Sequence, residues 1–427
     1  MSNLEEHIKA SATKRFLDHV INDIGDDSQL KKILVASKQP EAVIAQALSR
    51  IRGGTLRQYT NKWGKWKEWR DMVGIPLIAS EPSTITDVLI DVRSDIAEGR
   101  TIQKEMSLKP MLNSLNFYAR TAECKAFGTA MQSRTVQHFS TDTGGHSDRT
   151  EASPMTFAQV VGIERWVLHE SCPHHITLLA GFILTCIHSS LRFGDAQRCK
   201  PQSISLVDNS IRGICWRTKV SDKGQPWGCW STGFCGPWGH KWTTAMKNVA
   251  AEAPEEMDYL LPDSLLTTGK PQVLYRPMNY TRFIGGLRWM TLNLPDKDIR
   301  SGNHEVRGIT AHIMKCTMLS WAHQLNIPEE LRSFQGHHKP ASTRQSVVTY
   351  SRDDVYGGLR LQLIIRQGAA AAFRPLTPQA RGATAVNREN HTSLMDPCSP
   401  RQNGRWLPWH LPRGQTVTVD QLSRIAA

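Results

Sequence analysis

Apolar residues recur at three- and four-residue steps along much of the chain, and this spacing is typical of helices. The clearest example is a stripe of large side chains on one face of a helix that begins near Thr55, namely Leu56, Tyr59, Trp63 and Trp66. Similar spacing predicts further helices at 85–98, 109–122, 156–170 and 175–190. The segment 4–48 predicts one or two polar helices. We therefore expect a mostly helical protein.

A different pattern interrupts the second half of the chain. The segments 203–207, 210–218 and 225–230 favour strands, and a polar turn at 220–224 joins the last two as a hairpin. The remainder, to about residue 366, again predicts helices. The expected fold class is mostly α with a small β-sheet.

A polar, glycine-containing segment at 135–153 predicts a linker between two domains. A helical domain at 50–134 precedes this linker, and a larger domain at 154–366 follows it. Residues 1–49 form a separate N-terminal helical segment in this interpretation. Residues 367–427 are rich in proline and arginine and predict a flexible tail.

Composition narrows the function classes. The chain has 427 residues and a formal net charge of +13, with 40% hydrophobic and 21% charged residues, which is typical of globular proteins. The longest apolar run, 176–187, has 12 residues and is shorter than the roughly 18 that cross a bilayer. Nine cysteines without a CxxC pair and an N-terminus unlike a signal peptide indicate an intracellular protein. The positive charge suggests nucleic acid as partner.

A basic set of seven side chains lies in and beside the aromatic stripe, with a single acidic residue among them, Glu68. This basic set consists of Arg50, Arg52, Arg57, Lys62, Lys65, Lys67 and Arg70. A helix that buries its aromatic residues presents much of such a set to solvent. We therefore expect the basic set to contact DNA phosphates while the tryptophans form the core.

Four segments of the larger domain carry residues suited to phosphate chemistry. They contain, in order, Arg192 and Asp195; Lys219 and Lys223; His312 and Lys315; and His337, His338 and Tyr350. His312 and His337 are 25 residues apart, and His337 and Tyr350 are 13 apart. In order and spacing, these segments resemble the catalytic domain of the tyrosine recombinases, the phage-integrase superfamily. The ending Gly-His-His followed by Tyr-Ser-Arg-Asp is similar to recombinases of Crypton and DIRS-type mobile elements of eukaryotes.

The resemblance covers about residues 154–366, and the helical domain resembles the core-binding domain of the family in placement and size. It implies cleavage and rejoining of double-stranded DNA through a 3′-phosphotyrosyl bond at Tyr350, within a protein tetramer. It implies no metal and no other cofactor. The helix after Tyr350, at about 354–366, is then the segment expected to dock on a neighbouring subunit. A nuclear location follows if the host is a eukaryote.

The implied roles suit the residue types. A tyrosine, with an ordinary pKa near 10, needs a proton acceptor and nearby positive charge, which His312 and the cations supply. Arg192 clamps the phosphate, Asp195 orients this cation, and His337 contacts the phosphate or aligns Tyr350. Lys219 protonates the leaving 5′ oxygen. Lys223 remains the alternative to Lys219, and His338 the alternative to His337.

Lys315 departs from the family pattern, in which an arginine usually stands three residues after the histidine. Lysine keeps the charge but loses the bidentate geometry of a guanidinium. Nearby Arg307 is a candidate to compensate. This departure leaves two alternatives open: a weakened or inactive DNA-binding protein derived from a mobile element, and an enzyme similar to type IB topoisomerases.

Two other clusters invite a metal-site interpretation, around Cys172 with two histidines and around Cys229 with Cys235 and His240. Neither shows the paired short spacing of zinc ligands, so we expect no metal there. The tryptophans of the second cluster are expected to pack in the core or in the hairpin; they are Trp227, Trp230, Trp238 and Trp242.

Overall fold

A computed structural model describes residues 3–74, 81–97, 108–141, 152–218, 224–265, 272–294, 308–337 and 355–375. The chain divides into two compact units, Met1–Thr150 and Glu151–Ala427, here called the helical unit and the mixed unit. Their boundary lies inside the segment 135–153, for which the sequence predicts a linker.

The helical unit contains eight helices in its described residues. They are α1 Asn3–Asn22, α2 Gln29–Ala36, α3 Pro40–Ala47, α4 Gly53–Val73, α5 Pro82–Ala97, α6 Leu108–Thr121, α7 Lys125–Met131 and α8 Arg134–Thr141. Two predictions are corrected here. The N-terminal segment is not separate, because α1 and α2 bury Phe16 and Leu30 in the same core as the aromatic stripe. The linker is shorter than predicted, since α8 continues to Thr141 and residues 142–151 lie outside the described part.

The stripe on α4 is buried as predicted at Leu56, Trp63 and Trp66, and Tyr59 is partly buried. The helix begins at Gly53, before the predicted Thr55, and its N-cap residue makes no capping hydrogen bond through its side chain. A close approach of α1 explains the glycine: a Cβ on Gly53 would lie 3.0 Å from the backbone nitrogen of Lys9. Packing between helices thus sets this helix start.

The mixed unit contains the remaining described helices and all the described strands. The elements are α9 Phe157–Leu168, α10 His174–His188, α11 Phe193–Ala196, β1 Ser205–Val207, β2 Ser210–Cys215, β3 Gln225–Trp230, α12 Trp238–Glu252, β4 Pro262–Leu265, β5 Gln272–Pro277, α13 Tyr280–Leu292, α14 His312–Gln324, α15 Glu329–Gln335 and α16 Tyr356–Ala370. The predicted fold class, mostly α with a small β-sheet, is confirmed.

Two small antiparallel sheets lie in the mixed unit. The first has the order β1-β2-β3, and its register pairs Ile211 with Cys229 and Cys215 with Gln225, so the predicted hairpin is confirmed. The second sheet, β4 with β5, is not predicted from the sequence. Its strands have no clear alternation: in β5 every residue is exposed or half-buried.

Helix α10 is the centre of the mixed unit's core, since every residue from Ile176 to His188 is buried. A helix that is apolar on all sides requires neighbours on all sides, and α9, α12, α13 and α14 contact it. Gly181 permits the contact with α12, because a Cβ there would lie 2.0 Å from Trp242 Cδ1. Trp227, Trp238 and Trp242 are buried as predicted, whereas Trp230 is partly exposed.

Helix α16 packs on its own chain, against α15 and β3. Its buried residues include Leu359 and Ile365, whereas Leu363 is 39% exposed. Leu359 is therefore covered by its own chain, and the docking of this helix on a neighbouring subunit stays a prediction. In the described part of the chain, no helix has the length and apolarity needed to span a bilayer.

Candidate active site

A tight turn after α10 presents Arg192. The backbone of Ser190 is left-handed, with φ of 50°, and this reverses the chain before α11 starts at Phe193. Arg192 Nη1 donates to Asp195 Oδ2 over 3.5 Å, and the arginine side chain is 34% exposed while that of Asp195 is 8% exposed. The guanidinium is thus partly accessible and lies within hydrogen-bonding distance of the Asp195 carboxylate. Residues 188–192 are called the arginine turn below.

His312 and Lys315 lie on the first turn of α14, three residues apart and therefore on the same side of the helix. His312 is exposed. Desolvation and the positive charges of Arg192 and Lys315 lower its pKa below the ordinary 6.5. The ring is consequently neutral at pH 7 and able to accept a proton.

Lys315 is buried, with 3% of its surface exposed. Its ammonium Nζ donates a hydrogen bond to the carbonyl oxygen of Gly336. Burial, together with the positive charge of nearby Arg192, lowers the pKa of Lys315 to about 8, and the carboxylate of Asp195 opposes part of this shift. Lysine and arginine thus lie close to one another, but the lysine is directed at the protein backbone.

His337 ends the segment after α15 in a left-handed conformation, with φ of 53°. Its Nε2 lies 2.9 Å from the carbonyl oxygen of Ser189, which can only accept, so Nε2 carries the hydrogen. The amide nitrogen of Gln225 lies 3.3 Å from Nδ1 and donates to it. Burial lowers the pKa of His337 to about 4, and Lys315 and Arg192 contribute to this. Both ring nitrogens therefore already have partners in the protein.

Hydrogen bonds join the arginine turn to residues 335–337, here called the histidine turn. Gln335 donates from Nε2 to the carbonyl oxygen of His188 and, over 3.0 Å, to Ser190 Oγ. Gln362 of α16 donates to Gln335 Oε1 over 3.3 Å. All three glutamine and serine side chains are buried. The sequence gives no sign of this network other than a glutamine directly before the Gly-His pair.

A second buried group, the carboxylate of Glu164, contacts the first residue of the arginine turn, His188. Glu164, with no exposed surface, accepts hydrogen bonds from the backbone nitrogens of Phe234 and Cys235 over 2.8 and 2.9 Å. His188 Nε2 lies 3.3 Å from Glu164 Oε1. Gly233 allows this approach, since a Cβ there would lie 2.0 Å from the carboxylate. The pair ties the last residue of α10 to the loop after β3.

The structure thus gathers five of the predicted site residues, Arg192, Asp195, His312, Lys315 and His337. Their charges influence one another's pKa values, as described above for His312, Lys315 and His337. The other predicted members lie outside the described residues; they are Lys219, Lys223, Arg307, His338 and Tyr350. Strands β2 and β3, on either side of the two hairpin lysines, are described.

The basic set of the helical unit is mostly at the surface. Arg50 and Arg57 are exposed, and four further members are partly exposed: Arg52, Lys62, Lys65 and Lys67. Lys67 is paired with Asp23 over 2.6 Å. Arg70 is the exception in the set: it is 7% exposed and donates to Asp71 over 3.0 Å, so it does not fit the expected contact with DNA phosphates. Its position on α4 falls on the buried side, three and four residues from Lys67 and Trp66.

The two cysteine and histidine clusters do not form metal sites in the part of the chain that the structure describes, where no group of three or more ligands is suitably placed. Cys229 is fully buried, and burial raises the pKa of its thiol to about 12.

Comparison with models of known protein families finds no match to this chain, and no curated protein is significantly similar to it.

Proposed function

We propose that this protein is a site-specific DNA recombinase that cleaves and rejoins DNA through a covalent 3′-phosphotyrosyl intermediate. The observation that supports it most directly is the convergence of Arg192, His312 and His337. These residues come from three separate segments of the chain, and they occur in the order of the tyrosine-recombinase motif. A partly accessible guanidinium beside a neutral imidazole suits a phosphodiester, which needs both charge stabilisation and proton transfer.

In the proposed reaction, the phenolic oxygen of Tyr350 bonds to phosphorus while the bond from phosphorus to the 5′ oxygen breaks. The phenolic proton passes to His312, whose lowered pKa keeps it able to accept one at neutral pH. Lys219, or Lys223 in its place, supplies a proton to the departing 5′ oxygen. The phosphoryl group stays covalently bound, so the reverse reaction can rejoin a strand without another energy source.

Arg192 is the proposed clamp on the nonbridging oxygens. Its partly exposed guanidinium leaves donors available to a ligand, while Asp195 restricts its orientation. The exposed members of the basic set would hold the duplex through phosphates elsewhere, with no need for sequence recognition. Assembly as a tetramer on DNA, and action in the nucleus in a eukaryotic host, belong to this proposal.

The test is a trapping experiment with a pool of nicked duplexes randomised around the nick. The short strand released by cleavage diffuses away, so the covalent protein–DNA adduct accumulates and is counted on a denaturing gel. We expect an adduct with the wild type and none with Tyr350→Phe. The matched control is Tyr356→Phe, because Tyr356 is 65% exposed, the guanidinium of Arg212 lies over its ring at 5.4 Å, and loss of its hydroxyl should leave the adduct unchanged.

Two results would contradict the assignment. An adduct that persists in Tyr350→Phe but disappears in Arg192→Ala would exclude Tyr350 as the nucleophile. A wild-type protein that binds the pool without any adduct would favour the alternative of a non-cleaving DNA-binding protein. The observation that favours this alternative is the contact of Lys315 with Gly336, which directs the second expected cation to the backbone.

A further inference from the structure

Lys315 differs from Arg192 in what surrounds it. Only 3% of Lys315 is exposed, against 34% of the Arg192 side chain. An ammonium can donate but not accept, and here it donates to the carbonyl oxygen of Gly336. A residue in this setting has little surface left for a ligand as large as a DNA backbone.

The carbonyl that Lys315 contacts lies at the C-terminus of α15, where Gly336 is the C-cap residue. Carbonyl groups at a helix C-terminus lack donors within the helix and attract positive charge. Lys315 supplies both a donor and a positive charge from another helix. It therefore fixes the position of the backbone directly before His337.

The histidine turn needs such support because the backbone of His337 is left-handed, which is unfavourable for a residue with a Cβ. The ring is then held by Ser189 and Gln225, and the preceding Gln335 is held by Ser190. A loss of the Lys315 contact releases the peptide between these two anchored side chains. Its effect should be transmitted to the arginine turn, because the two turns share these hydrogen bonds.

We infer that Lys315 is a positioning residue, which fixes the Gly336 carbonyl and through it the His337 ring and the arginine turn, and not a second clamp on the scissile phosphate. The role in catalysis rests on the proposed function, whereas the effect on the His337 ring does not. Both the ammonium and the neutral amine of a lysine can donate to a carbonyl, so positioning by Lys315 does not depend on its charge.

The first experiment needs no DNA. Nitrogen NMR of the full chain labelled at histidine reports which ring nitrogen of His337 carries the hydrogen near neutral pH. We expect a single form with hydrogen on Nε2 in the wild type, and a mixture or an exchange-broadened signal in Lys315→Met, which keeps the apolar stem and removes the ammonium. Lys247→Met, at an exposed position on α12, is the matched control and should not change the signal. An unaltered single form in folded Lys315→Met would overturn the inference.

The second experiment separates positioning from clamping. A methylphosphonate at the cleavage position removes the negative charge that a clamp must neutralise. We expect Arg192→Ala to recover adduct formation on this neutral DNA, and Lys315→Met to stay about 100-fold below wild type, the order of loss expected from a misplaced site. Recovery of Lys315→Met on the methylphosphonate would overturn the inference. If the wild type makes no adduct at all, the proposed function fails, and the NMR measurement still decides the role of Lys315.

Lys315→Arg provides a variant that keeps the charge. A clamp would gain from the bidentate guanidinium, so its adduct yield would rise above wild type. A buried positioning site lacks room for the larger group, so the folded variant should yield no more adduct than wild type. A raised yield would overturn the inference.

Discussion

The two units place their cations differently. In the helical unit, Lys67 is 44% exposed at its side chain and reaches a buried carboxylate, Asp23, from the surface. In the mixed unit, Lys315 is itself buried and contacts a backbone carbonyl. Burial lowers the pKa of Lys315 to about 8. A lysine at the surface thus pairs with a buried carboxylate, whereas a buried lysine contacts the backbone beside the candidate site residues. The two lysines differ mainly in their burial.

Buried polar groups also differ in what they connect. In the helical unit, Asp23, directly after α1, accepts from Trp63 of α4 over 3.3 Å, and His19 of α1 shares a hydrogen bond of 2.7 Å with Tyr118 of α6. In the mixed unit, Gln335 and His337 join two turns that carry candidate site residues. A polar core contact therefore supports packing in one unit and site geometry in the other.

The largest expected effect is a separate loss of stability in the helical unit. Trp63 is fully buried there and stacks on Tyr118 with ring centroids 4.1 Å apart. Trp63→Ala should cost that unit about 3–5 kcal/mol, because a large cavity replaces the indole. The two units have separate cores, so urea unfolding should show one transition shifted and the other unchanged. Equal shifts of both transitions would mean that the cores unfold together.

A smaller effect distinguishes two helical glycines. Gly181→Ala should destabilise the mixed unit by about 1–3 kcal/mol, because the new methyl group overlaps the buried Trp242. Gly128→Ala on α7 is the matched change in the helical unit, where no atom lies within 4 Å of the new Cβ. It should stabilise by up to about 1 kcal/mol through helix propensity alone. Thermal unfolding of both variants checks the sign of each change, and stabilisation by Gly181→Ala would refute the close packing of α10 and α12.

Acidic pH should lower the free energy of unfolding of both units, because each contains histidines whose pKa is lowered in the folded state. For His337, with a pKa of about 4 against an ordinary 6.5, the unfolded chain binds the proton more readily between these values. Stability is therefore present above pH 6.5 and is lost as the pH falls towards 4. His337→Gln should flatten this loss in the mixed unit by on the order of 1–2 kcal/mol. Burial also lowers the pKa of His175 to about 4, so part of the pH dependence of the mixed unit's stability should remain in this variant.

His19 is the counterpart in the helical unit, where burial lowers its pKa as well. His19→Gln should flatten the acid dependence of the helical-unit transition and leave that of the mixed unit unchanged. The measurement is urea unfolding at a series of pH values from neutral to acidic. An acid slope that stays the same in His337→Gln would show that its ring is not held neutral.

Sequence pattern predicted the elements better than it predicted the site. The stripe on α4 and the hairpin of β2 and β3 follow from local spacing, which the folded chain preserves. The burial of Lys315 and Arg70 does not follow from local spacing. A charged residue is buried only where segments distant along the chain leave space for it. Gln335 was missed for the same reason: its partners, His188 and Ser190, are more than a hundred residues away along the chain. The position of Arg192 beside Asp195 was predictable because a three-residue spacing already brings them together.

The smallest expected effect compares two arginines of α4 on DNA. Affinity for duplex DNA should fall steeply with salt if phosphate contacts dominate, because bound cations are released on association. Arg57→Ala removes an exposed side chain and should lower the slope of log affinity against log salt by about 1. Arg70→Met removes a buried guanidinium and should leave the slope unchanged. Equal losses in the two variants would mean that burial does not decide which cations reach DNA, and a wild-type slope near zero would contradict DNA binding by this surface altogether.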